Sequence, residues 1–445
     1  MSDLSRRAFI ARSAAVAGGL SLGAVGTACS SSPDDDAAAD RRQPGDAAPF
    51  DPTDWASVRD QFALTSEVAQ FSAWVLAAHP RPVAEAIERH RAGLDDHTHA
   101  YLAATELDAE AALAAAAEEY LGAAPGEVAF THSTTMGLGL LYGGLRLRPG
   151  QRALTTEHDF YSTHQSLALR SARDGVAVDR ARLYDDPAAA TADDVVARLM
   201  AAVSPDTRVV AVTWLHSGTG VKLPVRAIAD ALADANEGRE PDDRALLCVD
   251  GIHAVGIEDV TVDELGCDFL VSGTHKWLFG PRGTGIVWGR TDAWQAIDPT
   301  IPAFEPNSFG EWSRGLAPQP SAARFGPGGY HAFEHRWAAA EAFRFHLDIG
   351  KDRVAARTHG QATQLKEGLA EIDGLTLVTP MDEEMSAGMV CFDMADREPA
   401  DVLGVLMEAG IDASITPYAT QHVRVGPSIV TSPDEVDALV EALRA

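Results

Sequence analysis

The 445-residue chain has only four cysteines, Cys29, Cys248, Cys267 and Cys391, and they show neither zinc-ligand spacing nor a disulfide framework. The last three sit in apolar, strand-like contexts where an isolated cysteine acts as a small hydrophobe. Basic charge is also scarce. Against 65 Asp and Glu there are 36 Lys and Arg, giving a formal net charge of −29, and such a chain repels nucleic acid and anionic membrane surfaces. No internal repeat is apparent. The apolar run Ala14 to Gly26 is too short and too rich in glycine to span a bilayer stably. What remains is a hydrophobic fraction of 46%, ample for a sizeable core in a chain longer than one average domain.

The terminus carries an address. Ser5-Arg6-Arg7-Ala8-Phe9-Ile10 precedes the small-residue apolar run, so residues 1–28 read as a twin-arginine signal. This predicts export by the twin-arginine machinery to the periplasm or another extracytoplasmic location. Cys29, after Gly26-Thr27-Ala28, is a candidate lipid-attachment site, with ordinary cleavage after Ala28 as the alternative. Residues 33–48 lack aromatic and aliphatic anchors, and 29–50 read as a flexible acidic tether.

Chemistry concentrates between Cys248 and Gly285. Two apolar runs, Ala245 to Val249 and Asp268 to Val271, fit buried strands, and Asp250 closes the first while Lys276 follows the second. Polar residues at such strand ends are where an open α/β sheet keeps its site. An aldehyde cofactor needs an amine to hold it and a carboxylate to keep its ring nitrogen protonated. Lys276 and Asp250 match that pair, although a lone Asp there is more often a turn residue and a lone Lys a solvated one.

The neighbouring residues decide between these readings. Asp250-Gly251-Ile252-His253, then Ser272-Gly273-Thr274-His275-Lys276, then Gly280-Pro-Arg-Gly-Thr-Gly285, resemble the class V aminotransferase family of fold-type-I enzymes that use pyridoxal 5′-phosphate. The resemblance runs from about Phe71 to the C-terminus and includes isopenicillin N epimerase-like members. It implies a large cofactor-binding α/β domain with a mostly parallel sheet over residues 51–325. A smaller C-terminal α+β domain over 326–445, and a homodimer with sites at its interface, complete the expected architecture.

The resemblance also assigns roles. Ser133, Thr134 and Thr135 enter a predicted helix after a short strand, and a helix start with hydroxyls and free N–H groups binds phosphate. Ser272 and His275 would reach the same phosphate. Either His158 or Phe160 would lie flat over the cofactor ring, with Phe160 favoured. His216 or Ser217, together with His253, would approach its phenolic oxygen. In the Arg324 to His331 stretch Gly329 replaces the usual Thr of the partner-subunit phosphate contact. Arg424, in the terminal block Val423 to Ser428, would grip the substrate carboxylate through a bidentate fork, with Arg324 as the alternative.

These residues imply an enzyme acting at the Cα of a small-molecule amino acid substrate, with transamination as the leading reaction. Epimerisation and C–S or β-elimination are the alternatives. Ile411 to Val425 contains no cysteine, which weighs against a persulfide mechanism. A non-catalytic exported binding protein is the reading of another class, disfavoured because a receptor has no need of Lys276. A metal site built on His97 and His99 lacks a third ligand at diagnostic spacing.

Overall fold

The computed structural model describes residues 50–316 and 320–444, so the signal segment, Cys29 and the tether to residue 49 lie outside it. The strands in chain order are β1 (Ala69–Gln70), β2 (Val128–Thr131), β3 (Arg152–Thr156), β4 (Ala177–Ala181), β5 (Thr207–Thr213), β6 (Leu246–Asp250), β7 (Phe269–Gly273) and β8 (Gly285–Gly289). After these come β9 (Leu375–Leu377), β10 (Val390–Met394), β11 (Ile411–Asp412), β12 (Ser414–Ile415) and β13 (Val423–Val425).

Seven strands form the large sheet in the order β2-β8-β7-β6-β5-β3-β4. Only β8 runs antiparallel to its neighbours. The central strands are buried along their whole length, as expected where helices cover both faces of a parallel sheet. Side chains alternate between the two faces. Val209, Ala211 and Cys248 pack toward Leu138, Leu141 and Leu167, whereas Val210, Val212 and Val249 share the opposite core with Leu199, Ile228 and Phe343.

The C-terminal portion carries an antiparallel sheet, β12-β13-β10-β9. Val390, Phe392, Val423 and Val425 bury against the helices Lys351–Ala370, Pro399–Glu408 and Pro433–Arg444. The N-terminal segment joins this layer, because β1 pairs in parallel with β11 and Phe71 enters the same core. From there Trp74 to Pro80 runs beside the Lys276 loop, and Ala77 N–H donates to the His275 carbonyl at 3.0 Å.

One prediction differs from the structure. Helical spacing over Pro82 to Ala92 and over Asp108 to Leu121 predicts two helices, whereas the structure joins them in a single helical span, Arg81–Leu121, broken locally at His97 (φ −144°, ψ 69°). No proline lies between Arg91 and Asp108 to end the first helix. His97 and His99 are exposed on this span, and no group of three or more potential metal ligands occurs among the described residues.

Candidate active site

Strands β2, β5, β6 and β7 point the same way, so their C-terminal ends share one edge of the large sheet. Asp250 ends β6 and Thr213 lies opposite it on β5. Lys276 follows β7. The helix Thr134–Gly144 begins just after β2, and β8 starts close by: a Cβ added to Gly285 would lie 2.9 Å from the Ser272 carbonyl oxygen and 3.1 Å from the Ser133 carbonyl carbon.

Asp250 is 1% exposed. Its Oδ1 accepts the Ile252 N–H at 3.1 Å, while its Oδ2 is buried without a partner. Burial raises its pKa to about 7, with the Ile252 N–H and the Lys276 charge pulling the other way. Lys276 is half-buried, with Nζ 3.4 Å from His253 Nε2. Burial lowers its pKa to about 8; Asp250 opposes the shift and Arg424 adds to it. His253 is held neutral, chiefly by burial and further by the Lys276 and Arg424 charges. The cluster presents an amine that is nucleophilic near neutral pH beside a carboxyl group with one free oxygen.

The predicted phosphate residues also gather here. Ser133 caps its helix by accepting the Met136 N–H at 3.1 Å, which leaves its own hydroxyl proton free to donate. Thr134 is buried with Oγ1 unpartnered, whereas Thr135 is exposed. Ser272 Oγ donates to the Gly273 carbonyl at 2.9 Å, and His275 Nδ1 has no partner.

Two alternatives left open by the sequence are placed differently. His158 stacks on Tyr184, with centroids 3.8 Å apart and planes at 15°, and its Nε2 accepts the Leu183 N–H at 3.2 Å. Phe160 instead caps the helix Tyr161–Asp174, with its ring 6.0 Å from that of Tyr418. Ser217 Oγ is bonded to Tyr418 Oη at 2.7 Å, while His216 keeps a buried, unpartnered Nε2.

Arg424 is 6% exposed on β13. Its Nη1 donates to the Ser217 carbonyl at 2.9 Å and its Nε to Ser414 Oγ at 3.2 Å, and the guanidinium carbon lies 5.3 Å from the Trp74 ring centroid. Burial lowers its pKa. None of the ion pairs among the described residues includes it. The alternative, Arg324, is committed to Glu305 and Glu311. Gly329 lies in a loop at φ +99°, where an added Cβ would meet nothing within 4 Å.

Several functional neighbours escape sequence reasoning. Asp159 is buried and ties β3 to β5, accepting from Thr155 Oγ1 (2.6 Å), Thr156 N–H (2.7 Å) and Thr213 N–H (2.6 Å). Its position between His158 and Phe160 was the only signal. Trp74 and Tyr184 are delivered by separate segments that carry no local motif, whereas Tyr418 opens the same terminal block as Arg424.

The buried polar atoms of the cluster bear on its fit to pyridoxal phosphate. Thr134 Oγ1, Thr213 Oγ1, His216 Nε2, Asp250 Oδ2, His253 Nδ1 and His275 Nδ1 all lack partners and belong to this edge of the sheet. An unsatisfied buried polar atom costs about 1–3 kcal/mol. A ligand with a phosphate, a ring nitrogen and polar oxygens offers partners to such atoms, and the residues fit it. The fold and cluster define the fold-type-I class of pyridoxal-phosphate-dependent proteins, with pyridoxal phosphate as the cofactor.

The chain belongs to the aminotransferase class-V family, which it matches over residues 79–437. It is similar to isopenicillin N epimerase of Streptomyces clavuligerus, 26% identical over 414 residues that span 88% of this chain and 98% of the relative. The isopenicillin N epimerase of Amycolatopsis lactamdurans is 27% identical over 422 residues, with the same shares. A cysteine desulfurase of Pectobacterium atrosepticum is 25% identical over 332 residues, covering 72% of this chain and 77% of that protein. Among solved structures, a C-DES mutant with glycine covalently linked to its PLP cofactor has a TM-score of 0.77 at 18% identity, covering 87% of this chain and 98% of that one. The apo cysteine desulfurase from Thermococcus onnurineus gives 0.73 at 21% identity, covering 87% and 97%. At these identities the solved structures show the shared fold.

Proposed function

We propose that this protein moves the Cα proton of a free α-amino acid and that its net reaction is transamination. The observation that carries this reading is the placement of Arg424 near enough to Lys276 for its charge to lower the lysine pKa, Arg424 being a buried cation that has hydrogen bonds but no carboxylate partner among the described residues. A substrate α-carboxylate supplies the missing anion through a charge-assisted contact. When bound, pyridoxal phosphate supplies the electron sink for the bond that breaks at Cα. Asp250 Oδ2, buried without a partner, would accept the N–H of the cofactor's ring nitrogen. Ser133, Thr134, Ser272 and His275 would hold the phosphate, and Phe160 would be the ring-stacking residue, with one face of His158 already laid on Tyr184 and its Nε2 held by the Leu183 N–H.

Lys276 is the residue that takes and returns the proton. Its pKa of about 8 suits that work near neutral pH, while burial leaves His216 neutral with a pKa of about 3 and pushes the Tyr418 phenol to about 12. A single proton carrier favours transamination, in which the amino group leaves one amino acid as a 2-oxo acid and passes to another 2-oxo acid. Epimerisation is the second reading, favoured by the two epimerase relatives. Persulfide chemistry is disfavoured: Cys248, Cys267 and Cys391 are all buried, and burial raises each thiol pKa.

The test is incubation of the cofactor-loaded protein with L- and D-amino acids, with and without 2-oxo acids, followed by mass spectrometry and chiral chromatography. Transamination yields the 2-oxo acid of the donor and a new amino acid. Inverted amino acid without any 2-oxo acid overturns that reading in favour of epimerisation. Arg424→Ala should retain the visible cofactor band and bind amino acids roughly tenfold to a hundredfold more weakly.

A further inference from the structure

The turn after β5 contains a chain of hydrogen bonds whose direction can be worked out from its ends. His216 N–H donates to the Val221 carbonyl at 2.9 Å, closing a turn over His216 to Val221. Inside it, Val221 N–H donates to Thr219 Oγ1 at 3.4 Å. Thr219 Oγ1 is 2.9 Å from Tyr184 Oη, and Tyr184 Oη is 2.9 Å from His216 Nδ1. Thr219 Oγ1 accepts from Val221 and has no acceptor for its own proton other than Tyr184 Oη among the described residues, so the arrangement that uses every proton has Thr219 donating to Tyr184. Tyr184 Oη then accepts that hydrogen bond and donates its single O–H to His216 Nδ1. A neutral imidazole that accepts at Nδ1 carries its proton on Nε2. Burial keeps His216 neutral. Nε2 is one of the buried atoms at the sheet edge without a partner among the described residues.

We infer that Tyr184 is a positioning residue that holds His216 in its Nε2–H tautomer, so that His216 offers a proton to an acceptor oxygen on the ring of bound pyridoxal phosphate. Ser217 does not compete for that task, because its hydroxyl is engaged by Tyr418 and its carbonyl by Arg424. His158 has a part in the same device. It lies flat on the Tyr184 ring at 3.8 Å, and its own Nε2 is fixed by the Leu183 N–H, so the phenol plane is clamped from one side. The other ionisable groups acting on Tyr184 are Tyr418, Asp159 and Cys391. Asp185 and Arg182 act on His158. The inference rests on reading the cluster as the cofactor site.

The test uses cofactor-loaded protein labelled with ¹⁵N-histidine. In the parent, the His216 nitrogens should show Nε2 protonated and Nδ1 as the hydrogen-bonded acceptor. Tyr184→Phe keeps the ring that His158 stacks on but removes the donor. It should lose this tautomer preference and shift the pH midpoint of the visible cofactor band by about one unit, the tenfold effect of one hydrogen bond. Thr219→Ser should behave as the parent, since it keeps the hydroxyl. A parent His216 protonated at Nδ1, or a Tyr184→Phe variant with unchanged tautomer and midpoint, overturns the inference. If the parent shows no visible band with pyridoxal phosphate, the cofactor reading fails and the relay falls with it.

Discussion

A lysine half-buried beside a buried carboxyl group carries a cost that pH reveals. Lys276 has a pKa of about 8 in the folded protein against 10.5 for an ordinary lysine. Between those values the unfolded chain binds the extra proton, so stability rises as pH climbs from about 8 to 10.5. Below pH 8 the lysine is charged in both states and its burden is full. Cofactor-free Lys276→Met should therefore be more stable than the parent at pH 7, by about 1–3 kcal/mol in urea unfolding. The advantage should vanish above pH 10.5. Equal stability at pH 7 would show that the amine is not strained by its surroundings. Lys276, Asp250 and Arg424 were legible in the sequence because each sits in a short motif at a strand end or in a strand. Tyr184 was not, since its link to His216 spans two strands and no local pattern marks it.

At the scale of elements, the His216 to Val221 turn depends on Gly220. Its φ is +74°, and an added Cβ would lie 2.7 Å from the Met389 carbonyl oxygen and clash with Thr379 Oγ1. The same Thr379 hydroxyl donates to the Thr219 carbonyl at 2.8 Å, so the turn is clasped by the start of the C-terminal layer. Gly220→Ala should cost roughly 2–4 kcal/mol, from left-handed strain plus overpacking. It should also displace His216. A lowered melting temperature together with a weakened cofactor band is expected, and a variant as stable as the parent would contradict this packing. The apolar runs of β5, β6 and β7 were readable because a strand buried on both faces is nearly all Val, Leu and Ile. The long helical span was read as two, because a polar stretch such as Asp95 to His99 resembles a loop when its packing partners are unknown. The two-residue strands β1 and β11 leave no periodic signal, and only the folded chain brings them together.

At the scale of the molecule, one edge of the large sheet collects the amine, the carboxyl group and the helix start proposed to bind phosphate, while the C-terminal layer contributes Arg424 and the N-terminal segment contributes Trp74. The class of fold was legible from the order of strand, helix and motif. The way three distant segments close over one site was not, because the contacts that join them lie hundreds of residues apart in sequence. The most direct measurement is to reduce the cofactor-loaded protein with borohydride, digest it and map the modified peptide by mass spectrometry. The account predicts a pyridoxyl group on Lys276, within the peptide that contains Ser272 to Lys276. A pyridoxyl group on any other lysine, or none on a protein loaded with pyridoxal phosphate, would contradict it.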